Sequence, residues 1–592
     1  MTWSLGGMIR ERGRERGAGP MISYGARTIT WAEMDARSSR VAQGLLAAGL
    51  AEQDRVAFVD KNGPEYFEVL FGGGKANVVN VAVNWRLQPA EMAYIVNDAE
   101  AKLLFVGPDF LGHLDAMEPV LKTVQKVIVI GAEPRRESHE RYEAWLARHE
   151  TRDPGRTSAP GDVAMQLYTS GTTGLPKGAM LTNGNLGTLL PYVGPLWHVD
   201  ETSVNLVCMP LFHIGGSGWA LVGMGRGCHS ILVREFVPQE ILATLERHRV
   251  TNALFVPAML QFLTAVPGAA ERDYSVLREI VYGASPITNE VLVRSMKTFR
   301  CPFIQVYGLT ETTGAITQLP ADDHATEGPK ARLLRSAGKP FPWVELRVVD
   351  PGTGRDCPAG EVGELWTRSV QNFKGYWGKA EETARTLDAD GWLRTGDAGF
   401  LDPAGYLFLT DRVKDMIITG GENVYPAEIE NVLSDHPAIA DVAVIGVPDE
   451  RWGETGEGDR RAKARCRPAA RGDHRLRARA ARPLQVPDRG GLRRGAPAQP
   501  VGQAPQTRAA RALLEGARAP HQLTPASEPG GATPAGAGRR RRCGRRAARG
   551  GRPRRRGREP GRFGTPSLEG RPLRPQALGR PQRRVRGIHD PV

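Results

Sequence analysis

Apolar residues recur at helical spacing through residues 31–50, with Met34, Val41, Leu45 and Leu46 at the repeating positions, and the spacing predicts a helix there. The apolar run at 55–59 follows as a short strand. The same order of elements returns with a helix over 91–99 and strands at 102–106 and 126–130, and residues 163–167 read as another, buried strand. Strands alternating with helices predict a doubly wound α/β sheet. Further on, 255–260 reads as a core strand entering a helix. Tyr282 ends a strand that opens into Gly283, Ala284, Ser285 and Pro286, small residues that let a flat ligand or a narrow chain lie against the backbone. Short runs at 344–349 and 360–367, separated by Gly and Pro, predict a smaller β-rich subdomain, and 428–433 and 439–445 predict a helix and a strand of a small α+β domain.

Directly after the 163–167 strand the chain changes character. Residues 168–178 read Tyr-Thr-Ser-Gly-Thr-Thr-Gly-Leu-Pro-Lys-Gly. Glycines let backbone N–H groups turn towards a ligand, the hydroxyls add donors, and Lys177 adds a mobile positive charge, a set suited to holding a polyphosphate. The spacing is not that of a Walker A loop. A second cluster, Gln-Val-Tyr-Gly-Leu-Thr-Glu-Thr-Thr-Gly at 305–314, sends a ring, a hydroxyl and a carboxylate from one strand end. That trio suits a nucleotide: Tyr307 to stack on the base, Thr310 to donate to a phosphate, Glu311 to hold Mg2+.

Ser170, Gly171, Thr172, Thr173, Gly174, Pro176, Lys177 and Gly178 resemble the signature of the adenylate-forming superfamily, which includes acyl-CoA synthetases, luciferases and peptide-synthetase adenylation domains. The resemblance implies ATP-dependent activation of a carboxylic acid: its carboxylate attacks the α-phosphate of Mg·ATP, and the thiol of CoA then displaces AMP. It assigns Thr169, Ser170, Gly171, Thr172, Thr173, Gly174 and Lys177 to the phosphates, and Gly283, Ala284 and Ser285 to the adenine wall. Tyr307, Gly308 and Thr310 fall to the nucleotide, and Asp397 to both ribose hydroxyls. Arg412 would reach ribose or phosphate and Lys414 lies near a hinge. Gly420 and Gly421 open the segment Gly-Gly-Glu-Asn-Val-Tyr-Pro, which would line the CoA entrance. His213, in Pro-Leu-Phe-His, would sit near the substrate carboxylate, with Trp219 shaping the pocket. Lys177, Thr310, Glu311 and His213 are thus the expected catalytic groups. Residues 82–87 look like the acyl-CoA ligase branch, and 420–426 look most like bacterial fatty-acyl and medium-chain acyl-CoA ligases. The implied domains are an adenylation domain at 1–413 and a mobile C-terminal domain beginning at 414, with ATP and Mg2+ as cofactors and CoA as co-substrate.

Composition alters this picture at one end. The chain has 592 residues and a formal charge of +14, yet residues 457–592 hold 34 Arg, one Lys and nine acidic residues, so that stretch carries +26 and the rest −12. It has no Trp or Tyr and a single Phe, Phe563, a composition that predicts disorder. The resemblance stops near residue 455, before the C-terminal lysine that such ligases use. Back-translation one base out of frame permits Asn-Pro-Ser-Gly-Lys across 499–511, and two further family-like segments in the same frame, which points to a frameshift near 455–456. The rival is an Arg-rich arm for nucleic acid. The six cysteines show no paired spacing, and no signal peptide or apolar run of spanning length is present, so a soluble, cytoplasmic enzyme without disulfides is expected. A carrier protein as thiol acceptor and an inactive nucleotide-binding remnant are the alternatives in function.

Overall fold

The protein is described here from a computed structural model. It covers residues 3–169 and 175–412 and, beyond them, 417–419, 422–424, 426, 429–430, 439–449 and 453–462. The first predicted helix is Trp31–Ala47. Its first turn is capped by Thr30, whose hydroxyl accepts from the Glu33 N–H at 3.1 Å. It stops short of residue 50 because Gly49 takes a left-handed conformation, φ +80. Gly49 N–H then reaches Leu46 O and Leu50 N–H reaches Leu45 O, which satisfies two of the helix's last carbonyls.

An eight-stranded sheet runs Gly375–Tyr376, Lys177–Thr182, Val163–Thr169, Val79–Ala82, Arg55–Val59, Leu103–Val106, Lys126–Val129, Glu140–Arg141. From Val163–Thr169 outwards to Glu140–Arg141 the pairs are parallel. Lys177–Thr182 and Gly375–Tyr376 add to the other edge antiparallel. The predicted strand at 163–167 is two residues longer, and residues 170–176 connect two antiparallel neighbours. A nine-stranded sheet is built the same way. Its parallel centre includes Phe303–Leu309, Glu279–Gly283, Asn252–Phe255 and Val204–Val207, and Gly314–Leu319 pairs antiparallel with Phe303–Leu309. Non-sequential strand order in both sheets is the doubly wound pattern, in which ligands meet the carboxyl ends of strands. One continuous apolar core draws on both sheets, from Val56 and Phe58 to Leu206 and Ile280, all at most 3 % exposed.

The predicted β-rich subdomain is a four-stranded antiparallel sheet, in the order Glu345–Val349, Gly363–Arg368, Trp392–Leu401, Leu407–Arg412. A second four-stranded sheet contains Ile439–Asp449 paired with Gly453–Ala462. This pairing corrects one boundary: the tail expected to be disordered from 457 is still in the ladder at Arg460 and Ala462. Ladder bonds are made by the backbone, so a polar sequence can continue a hairpin that apolar residues began. The expected hinge at Lys414 and most of the predicted 428–433 helix lie outside the described residues.

Candidate active site

Thr169 ends one strand and Lys177 begins the next, and the two are register partners. Tyr168 anchors that strand end, its hydroxyl donating to Asp98 Oδ2 at 2.7 Å. Burial, followed by the charge of Asp98, raises the Tyr168 pKa far enough to keep it a donor. Ser170, Gly171, Thr172, Thr173 and Gly174 lie outside the described residues.

Across from this hairpin end, Thr169 Oγ1 donates to Glu311 Oε1 at 3.1 Å, so two motifs 142 residues apart touch directly. The junction is secured by a strap at residues 371–377. Gln371, fully buried, donates from Nε2 to the Thr312 and Ala315 carbonyls, both at 2.8 Å, and accepts at its own carbonyl from Thr313 Oγ1. Phe373 N–H donates to Glu311 O, and Trp377 N–H to Gly178 O. Tyr376 OH donates to Glu311 Oε1 at 2.8 Å, and Lys177 Nζ lies 5.3 Å from the centre of the Tyr376 ring. Thr310 sits half-buried at the head of this turn, its carbonyl accepting from Thr313 N–H.

A second pair forms beside it. Tyr307 OH donates to Asp397 Oδ2 at 2.7 Å, and both side chains are buried. Tyr307, expected to stack on adenine, thus also fixes the carboxylate expected to hold the ribose. Asp397 is the cross-strand register partner of Arg412. Two glycines are required by strand packing: a Cβ at Gly283 would meet Val306 O at 2.1 Å, and one at Gly308 would meet Gly314 O at 1.9 Å. Ala284 and Ser285 are exposed beyond the strand end, and Ala284 holds φ +68, a strained value for a residue with a Cβ. Lys414, Gly420 and Gly421 lie outside the described residues.

The ends of the Thr169 and Lys177 strands, the Glu311 turn and a Tyr–Asp pair thus gather beside the carboxyl ends of parallel strands. The family model described as AMP-binding enzyme matches residues 9–377, and that of the AMP-binding enzyme C-terminal domain matches 428–458. The chain belongs to the AMP-binding enzyme family. A fatty acid–[acyl-carrier-protein] ligase, ScoC, from Streptomyces coeruleorubidus is 39% identical over 74% of this chain and 82% of its own. A feruloyl-CoA synthase from an Amycolatopsis species is 37% identical over 76% and 87%. ATP-bound MatB from Rhodopseudomonas palustris superimposes with a TM-score of 0.71 at 29% identity, over 79% of this chain and 90% of that one. The chain is an AMP-forming acid–thiol ligase in class.

In this AMP-binding enzyme His213 is packed beside an aromatic neighbour. It precedes the Ile214–Arg226 helix without capping it, and its ring centre is 5.2 Å from that of Phe212. Burial, with Arg86 nearby, lowers its pKa to about 4, so it is neutral at pH 7. The helix start packs beside the Glu311 turn, since a Cβ at Gly314 would meet Ile214 Cγ1 at 3.8 Å. Trp219 is a core residue, 3 % exposed, its indole N–H donating to Leu206 O at 2.9 Å and its ring set against Trp197. Sequence reasoning missed Gln371 and Tyr376. The only available signal for Tyr376 was the short Gly-Tyr-Trp run at 375–377, which says nothing about a partner at 311. Among the described residues no helix is long and apolar enough to cross a membrane.

Proposed function

We propose that this enzyme activates a fatty or similarly apolar carboxylic acid as its acyl-adenylate and passes the acyl group to the thiol of CoA. The observation that supports it most directly is the contact of the polyphosphate hairpin with the Glu311 turn, Thr169 to Glu311 at 3.1 Å, beside the Tyr307–Asp397 pair. Lys177 neutralises phosphate charge as the acid attacks, Thr310 donates to the α-phosphate, and Asp397 fixes the ribose. Such groups act by holding reactants in line and by meeting charge that develops in the transition state. His213, kept neutral, adds a dipole near the substrate carboxylate without competing for it as a cation.

The donor set fits Mg2+. Glu311 takes both hydroxyl donors on Oε1, leaving Oε2 for a hard cation. Among the described residues no cluster of three His, Cys, Asp or Glu forms a closed metal cage, as suits an ion shared between one carboxylate and substrate phosphates. When bound, the ion would supply charge neutralisation on the phosphate oxygens.

A second reading concerns the acceptor: the 39% identity to ScoC supports a carrier-protein phosphopantetheine thiol in place of CoA. We further read the 592-residue chain as impaired, because the C-terminal family match stops at 458 and the lysine-bearing segment is found only in the shifted frame. Loss of one such electrostatic contact lowers adenylation by roughly 10² to 10³. The test incubates the full chain with Mg·ATP and a panel of aliphatic and aromatic acids, following AMP, and then offers CoA or a holo-carrier protein. Slow, acid-dependent AMP release with thioester formed on CoA supports the proposal. Thioester on the carrier alone supports the second reading, and rapid turnover by the literal chain overturns the impairment.

A further inference from the structure

We infer that Tyr376 is a positioning residue that keeps the two opposite charges of the site apart, with its hydroxyl aiming Glu311 and its ring face holding Lys177. This rests on reading the site as one for a nucleotide and a divalent cation. One aromatic ring meets both charges: its OH donates to Glu311 Oε1 at 2.8 Å, and its face lies 5.3 Å from Lys177 Nζ. Among the described residues no carboxylate pairs with Lys177, although it shares this small site with Glu311. Opposite charges brought into contact in a medium of intermediate dielectric attract strongly, so an unspaced Lys177 and Glu311 would satisfy each other. A Glu311 so paired loses its metal, and a Lys177 so paired loses its phosphate. With both hydroxyl donors directed at Oε1, Oε2 is the oxygen left for the cation.

The strap does not depend on that hydroxyl. Trp377 N–H holds Gly178 O, the Arg55 guanidinium lies 3.5 Å from the Trp377 ring centre, and Lys379 pairs with Asp98 at 3.3 Å. Tyr376→Phe therefore removes one donor and keeps the spacer, whereas Tyr376→Leu removes both.

The experiment measures ATP affinity of the full chain with saturating Mg2+ and with EDTA, in wild type, Y376F, Y376L, E311Q and the two double variants with E311Q. For Y376F the expected result is a loss of about tenfold in the Mg2+ enhancement, the scale for a group that orients a metal ligand, with affinity in EDTA held within about twofold. In the E311Q background Y376F should cost nothing further. For Y376L affinity in EDTA should also fall, and E311Q should restore it by releasing Lys177. An unchanged Y376F enhancement, the same Y376F loss with Glu311 removed, or an unrescued Y376L each overturns the inference. A wild type that binds ATP with no Mg2+ enhancement overturns it together with the metal reading, and a wild type that binds no ATP overturns the proposed function as well.

Discussion

At Glu311, two hydroxyls converge on one carboxylate oxygen and an ammonium rests on the ring that carries one of them. At His213 the neighbours are instead aromatic: Phe212 at 5.2 Å, Trp85 packed edge-on against Phe212, and the Arg86 guanidinium over the Trp85 ring at 4.5 Å. The first region is made of directed bonds with discrete partners, and any change of atom type breaks it. The second is made of contact and shape, which many side chains can supply. A nucleotide offers the same groups in every turnover, so fixed donors suit it, whereas an acyl group is recognised by the volume left to it. The substrate class is therefore the finer and less determined part of this enzyme.

The largest effect is expected at the directed end. Glu311→Gln keeps the shape of the turn but removes the charge, and acid-dependent ATP–pyrophosphate exchange should fall by roughly 10² to 10³. A fall under about threefold would mean that Glu311 is no more specific than the aromatic corner. Asp397→Asn replaces a carboxylate that Tyr307 OH holds at 2.7 Å, and nucleotide affinity should weaken by about tenfold or more, the worth of a charge-assisted hydrogen bond. Measuring 2′- and 3′-deoxy-ATP alongside tests the ribose role, since the variant should flatten the preference for ATP. Between the two regions, Gly308→Ala places a methyl 1.9 Å from Gly314 O and should cost about 1–3 kcal/mol in denaturant unfolding, with the Glu311 turn displaced.

The smallest effect is expected at His213. Its folded pKa, about 4, lies below the value of about 6.5 expected in the unfolded chain. As pH falls below about 6.5 the unfolded chain takes up a proton that the folded chain refuses, so stability drops between pH 6.5 and 4 and levels off beneath that. His213→Gln should make the urea midpoint less sensitive to pH across this window. Identical slopes for variant and wild type would place the ring in contact with water, and would blur the contrast with the Glu311 end.

The residues 168–178 and 305–314 stood out as motifs because hydroxyls, glycines and a carboxylate in short order are the groups that a phosphate and a hard cation would demand. Residues 163–167 were legible as a strand because burial on both faces leaves a continuous apolar run, whereas the strands at Tyr282 and Tyr307 were read only at their ends. The strand Lys177–Thr182 was not foreseen, since its antiparallel pairing depends on how the chain returns after the loop. Trp219 shows the converse difficulty: an aromatic beside a motif reads as pocket wall, but its indole N–H is spent on Leu206 O inside the core.

The order of motifs, their chemistry and the alternating helices and strands were written in the sequence by itself, and so was the change of composition after residue 456. Local propensity and ligand chemistry act over a few residues, which is why they can be read there. Only the tertiary structure decided that Tyr376 joins Glu311 to Lys177, that Gln371 locks the turn between them, and that the ladder continues to Ala462. Those contacts link positions that the sheets bring together from 56 to 199 residues apart, or backbone groups that pair whatever their side chains, and neither leaves a spacing in the chain.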